Sequence, residues 1–139
     1  MKIVDVYRWV DHTGELELEI EASSQRAVFE QAVAALGELL AERTEVDGGG
    51  AMASFEVTVS APDRATLLAE LLSELLYLVE DQGLIPERAE RLDLSEESLE
   101  ATVSGRLSTP PHLVKAVTYH RLEMTEEDET WRARVVLDV

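Results

Sequence analysis

The run Leu16-Glu17-Leu18-Glu19-Ile20-Glu21 alternates strictly between apolar and acidic side chains. That period of two predicts a strand with one wet face, Leu and Ile turned inward and Glu outward. Tyr7 to Val10 begins an earlier strand, and Asp11-His12-Thr13-Gly14 breaks the two apart. The period then changes. Ser23 and Ser24 offer an N-cap for a helix reaching about Arg43, with Val28, Ala32, Leu36, Leu39 and Leu40 on one stripe. Gly48-Gly49-Gly50 predicts a loop, and Phe55, Val57 and Val59 restore strand alternation. Pro62-Asp63 opens a second helix with Asp63 as its cap. Its stripe is Leu67, Leu68, Leu71, Leu72, Leu75, Leu76 and Val79, and Gly83 ends it. From Glu87 onward short alternating runs follow, at Leu92-Leu94, Leu99-Ala101-Val103, Val114 to Met124 and Trp131 to Val139. Acidic or proline-containing turns separate them. The pattern predicts an α+β fold, mostly antiparallel, built on two main helices.

Composition narrows the setting. A chain of 139 residues with 45% hydrophobic content has the size of one domain and enough apolar material for one core, so residues 1–139 are expected to form a single domain. The absence of cysteine excludes disulfides, thiolate catalysis and Cys-based metal sites. No signal segment opens the chain, and no apolar run approaches the roughly 18 residues that a membrane span needs. A cytoplasmic location is therefore expected. The 29 acidic against 12 basic residues give a formal net charge of −17. Proteins that grip nucleic acid do so with clustered Lys and Arg, so strong direct nucleic-acid binding is not expected. Lysine occurs only as Lys2 and Lys115, a scarcity that a GC-rich or salt-adapted genome would explain, and it draws attention to Lys115. The triple glycine lacks the Lys-Ser/Thr of a phosphate-binding loop and leads into a strand.

Candidate chemistry gathers at three separated places. Asp11, His12 and Glu15 follow the first strand, Lys115 and His120 lie in Val114-Lys115-Ala116-Val117-Thr118-Tyr119-His120, and the sequence closes on Leu137-Asp138-Val139. If Glu15 folds against Asp138 and the carboxylate of Val139, three oxygen ligands share a small volume. Oxygen ligands with no sulfur and little imidazole favour calcium, magnesium or manganese over zinc or copper. Each residue also has a plainer reading. Asp11 beside Thr and Gly suits a turn, His12 and His120 suit hydrogen-bonded structural histidines, Lys115 suits an apolar stem with its ammonium in water, and Asp138 suits a solubilising end. Against the last, Trp131, Ala133, Val135, Leu137 and Val139 alternate to the final residue, which predicts an end pinned in the sheet.

The segments Tyr7-Arg8-Trp9-Val10-Asp11-His12-Thr13-Gly14-Glu15, Leu71-Leu72-Ser73-Glu74-Leu75-Leu76-Tyr77-Leu78, Val114 to His120 and Val136-Leu137-Asp138-Val139 together resemble the archease family, in order and across nearly the whole chain. The resemblance implies a small acidic accessory protein that activates the RtcB-type RNA ligase of tRNA splicing and RNA repair. It would promote the ligase's guanylylation, and so its repeated turnover, and would contact the ligase's GTP site. It implies a divalent metal, calcium first, held by Glu15, Asp138 and Val139, with Lys115, Glu15 and Asp138 serving activation and Asp11 and His12 in support. Where the family usually reads Asp-His-Thr-Ala-Asp, this chain has Gly14 and the longer Glu15. Pro110-Pro111-His112-Leu113 likewise replaces a usually more polar approach to Lys115. A different class stays open: a small metal-dependent hydrolase acting on nucleotides or RNA, with a cation held by Glu15 and Asp138 and with His12 as general base.

Overall fold

The computed structural model describes residues 5–42, 50–109 and 114–139. The triple glycine, apart from Gly50, and the Pro110 to Leu113 approach lie outside the described residues. Among the described residues, seven strands and two helices follow one another as β1 (Val6–His12), β2 (Glu15–Ala22), α1 (Gln25–Glu42), β3 (Met52–Ser60), α2 (Arg64–Gln82), β4 (Leu84–Leu94), β5 (Ser98–Leu107), β6 (Ala116–Glu127) and β7 (Thr130–Asp138). All pairings are antiparallel. The strands make a four-stranded sheet in the order β1-β2-β7-β6 and a three-stranded sheet in the order β3-β5-β4. Both helices touch strands of both sheets. A single apolar cluster joins residues from every one of these layers.

Local chemistry explains the boundaries. Ser24 Oγ accepts the Ala27 N–H at 3.1 Å at the start of α1. Asp63 Oδ1 accepts the Thr66 N–H at 2.8 Å at the start of α2, and Gly83 ends that helix at φ 72°. Leu16, Leu18, Ile20 and Ala22 of β2 are buried, as alternation requires. The α1 stripe is wider than its sequence period suggests. Phe29, Val33, Ala35 and Gly37 are buried along with the predicted set, because this helix meets β4 on one side and β1, β2 and β7 on another. At Gly37 an added Cβ would stand 1.9 Å from the carbonyl oxygen of Pro86, so α1 approaches β4 too closely for any side chain there.

β4 begins at Leu84, ahead of the expected Glu87. Leu84, Ile85 and Pro86 are all buried, so the first part of the strand has no alternation to read. Pro86 is tolerated because β4 is an edge strand, where a missing N–H need not interrupt a ladder. Register shifts follow between Pro86 and Arg88 and between Ala89 and Arg91.

Beside Gly37, Tyr7 of β1 donates its phenol to Glu38 in a cavity of about 500 Å³ walled also by Pro86, Glu87 and Arg106. Burial first, then the Glu38 hydrogen bond and the charges of Glu38 and Glu42, push the phenol from 10.0 up to about 12. The neutral form is favoured in the folded state, so this stabilisation is complete below the unfolded value near 10. It is lost as pH rises through the folded value. An ultraviolet titration should find one tyrosine ionising last, and Glu38→Gln should bring that step down. A late step unmoved by Glu38→Gln would disprove the assignment.

Candidate functional site at a corner of the four-stranded sheet

Three elements meet at one corner. The β1–β2 hairpin turns through Thr13 and Gly14, with Gly14 at φ 76°, a left-handed conformation that glycine adopts without strain. This is what Gly14 does in the Gly14-Glu15 pair. The turn sets His12 opposite Glu15. Glu15 lies directly opposite Asp138 on β7, and Asp138 lies opposite Ala116 on β6. Two backbone bonds lock the edge: Val139 N–H donates to Gly14 O at 3.1 Å, and Lys115 N–H donates to Asp138 O at 2.8 Å. The last residue of the sequence is thus pinned in the sheet, as its alternation predicts.

Side-chain alternation sorts the candidates. His12, Glu15 and Asp138 share the face turned away from the core. Asp11, which pairs with Leu16, belongs to the other face and is not brought to them. Glu15 and Asp138 are half-buried, and neither has an ion pair among the described residues. Like charges directly opposite in a ladder repel. Lys115 is exposed, and its ammonium has no ion pair among the described residues. His120 is exposed, its N–H donating to Thr118 Oγ1 at 3.3 Å, and it stands outside the corner row.

No group of three or more His, Cys, Asp or Glu side chains among the described residues is arranged to hold a metal ion. Glu15 and Asp138 would therefore need an oxygen of Val139 as a third ligand. The donor chemistry, two carboxylates with no counter-ion among the described residues, fits a hard cation.

Two residues next to this corner escaped the sequence. Glu17 was expected to face water, and its position does alternate outward, yet it is only 5% exposed. Its buried Oε1 has no hydrogen bond and lies 3.3 Å from Arg121 Nη1 and 3.7 Å from His12 Nε2. A buried carboxylate needs a cationic neighbour, and Arg121 supplies it. Arg121 reaches it because β6 bulges: four residues, 119–122, stand between the pairs Thr118↔Val136 and Glu123↔Arg134, and Arg121 adopts φ 57°. Arg134 fastens the bulge by donating to Arg121 O at 3.0 Å. The sequence does carry a sign of it. Apolar positions run odd at Val117 and Tyr119 and even at Leu122 and Met124, and such a change of parity inside one strand marks a bulge. On the same face, Arg8 hydrogen-bonds Glu19 and holds its carboxyl below the usual range.

The described fold and corner define a small acidic α+β protein with two antiparallel sheets joined through two helices. None of the described helices is long and apolar enough to cross a membrane. Residues 7–139 match the Archease protein family (MTH1598/TM1083), and the chain belongs to that family. It is 30% identical to the protein archease of Methanosarcina barkeri and 31% identical to that of Methanosarcina acetivorans, each over 96% of this chain and 95% of the relative. Protein 1598 of Methanobacterium thermoautotrophicum has a similar structure, with a TM-score of 0.72 and 26% identity over 96% of this chain and 98% of that one. An archease of Thermotoga maritima described as a possible chaperone shares the fold, with a TM-score of 0.65, 18% identity and coverage of 94% of each chain.

Proposed function

We propose that this protein is a cytoplasmic accessory factor that activates an RtcB-type RNA ligase in tRNA splicing and RNA repair, promoting the ligase's guanylylation and multiple turnover. The description of a family member as a possible chaperone agrees with a role exercised through a partner. The observation that carries the reading is the Glu15–Asp138 couple, which has no ion pair among the described residues, with Lys115 joined to Asp138 through the backbone. Glu15, Asp138 and an oxygen of Val139 would hold a divalent cation, calcium first and magnesium or manganese next. When bound, the ion would supply positive charge for orienting phosphate oxygens. Lys115, its backbone fixed to Asp138, would present an ammonium to a phosphate of GTP in the ligase or to an acidic group of the ligase. Bond making and breaking belong to the partner. With 29 acidic residues, the protein would approach a basic ligase surface faster than RNA, and more slowly as salt rises.

Multiple-turnover RNA ligation by the host's ligase, with GTP and divalent metal, tests the reading. Addition of the protein should raise turnover. Lys115→Ala should leave the melting temperature unchanged, since the side chain is exposed and has no ion pair among the described residues, and should lower activation about tenfold or more. Normal activation by Lys115→Ala would remove that residue from the mechanism. The competing reading, a metal-dependent hydrolase with His12 as base, draws on His12 sharing the face of Glu15. It would gain if the protein alone hydrolysed GTP or RNA and had no effect on the ligase.

A further inference from the structure

The exposed side of α2 carries four acidic residues, Glu70, Glu74, Glu80 and Asp81, and no Lys or Arg occurs between Arg64 and Arg88. Glu70, Glu74, Tyr77 and Asp81 follow the i, i+4, i+7, i+11 repeat of one helix face, and Glu80 stands to one side of that row. The predicted core stripe occupies the opposite face. Tyr77 is 58% exposed and Tyr119, on the neighbouring β6, is 56% exposed, although large aromatics on a solvated face lose burial energy. Tyr119 is not adrift, since its phenol donates to Glu70 Oε1 at 2.6 Å, which ties the strand to the helix and makes the two elements one surface. Tyr77 lies seven residues from Glu70, about 10 Å along the helix axis. Tyr119 lies three residues along β6 from Ala116, the residue opposite Asp138, again about 10 Å away. Tyr119 turns to the helix side of β6, the face opposite that of Glu15 and Asp138.

We infer that this α2–β6 face is a docking surface for a lysine- and arginine-rich protein surface, with Tyr77 and Tyr119 as its anchors. The inference rests on the accessory reading above, and it names the face by which the partner is held. Charge decides the occupant. An uninterrupted acidic stripe repels RNA and membrane phosphates and attracts a basic protein surface. Tyrosines with one polar end are well suited to anchoring such contacts: they bury large area at little cost in side-chain freedom, and their rings accept cations on the π face. The corner and the docking face would then divide the work, one acting on the nucleotide site and the other holding the complex.

Titration of the purified host ligase with labelled protein, at low and high salt, tests this. Wild type should bind more weakly as salt rises. Tyr77→Ala and Glu74→Lys should each raise the dissociation constant at least tenfold with unchanged melting temperature. Their ligation activity should return at high concentration, because the corner is intact. Glu129→Lys, which makes the same charge change at the distant β6–β7 turn, should bind within about twofold of wild type. Binding by Tyr77→Ala and Glu74→Lys equal to wild type would overturn the docking face and leave the accessory reading standing. Equal losses for Glu74→Lys and Glu129→Lys, with none for Tyr77→Ala, would overturn it in favour of net charge alone. No binding or activation by wild type would overturn the accessory reading and the docking face together.

Discussion

Asp138→Asn is expected to abolish divalent-cation binding and, without metal, to raise the melting temperature. Two effects of opposite sign follow from one geometry. Asp138 and Glu15 are direct cross-strand neighbours with no counter-ion among the described residues. Neutralising either one relieves a repulsion of a few tenths to about 1 kcal/mol and removes one of the charges that a hard cation requires. Binding to the native state adds stability that grows with ion concentration, about 2.7 kcal/mol at a hundredfold excess over the dissociation constant. Wild type should therefore gain several degrees in melting temperature with calcium, magnesium or manganese, while Asp138→Asn should gain nothing. Calorimetry of both proteins measures the binding directly. Equal affinity for the ion in Asp138→Asn would remove the corner as a metal site. Glu15→Gln should behave in the same way. Asp11→Asn, on the other face of β1, should bind normally.

Gly37→Ala is expected to destabilise the protein by about 2 kcal/mol or more, although alanine is the better helix former. Inside a helix, replacing Gly by Ala ordinarily gains roughly 0.5–1 kcal/mol. Here the new methyl would stand 1.9 Å from Pro86 O and 2.9 Å from the carbonyl carbon. Both are backbone atoms that no rotamer change can move. The helix or the β4 edge must shift, and overpacking of this kind commonly costs 1–3 kcal/mol or more. A thermal melt should show a drop of roughly 5 °C or more. A melting temperature equal to or above wild type would mean that α1 and β4 separate easily, contrary to the close approach described.

How far the sequence discloses this molecule depends on the range of the interaction concerned. The strict alternation of Leu16 to Glu21, the Asp63 cap and the Gly83 stop are local, and each lies where its pattern predicts. Fold class follows from them. The start of β4 is hidden because burial of three consecutive apolar residues erases the period of two, and Gly37 reads as a weak point in a helix until the strand it touches is known. The corner is a matter of register. Alternation to Val139 shows that the end is a strand, but only the antiparallel pairing of β2 with β7 sets Glu15 against Asp138 and leaves Asp11 on the other side. Glu17 illustrates the limit of a binary pattern: its outward direction is readable, while its burial is caused by Arg121, 104 positions away by subtraction of their numbers, arriving through a bulge.

The irregularities in β4 and β6 also bear on how the protein behaves in a crowded solution. Both strands are sheet edges, and regular edges offer rows of free amides and carbonyls on which another chain can polymerise. Pro86 and two one-residue shifts break the row on β4, and the four-residue bulge turned by Arg121 breaks it on β6. The same backbone departures that bring Arg121 to Glu17 thus make these borders poor templates for fibre growth, and a variant that straightened them would be expected to self-associate before it unfolded.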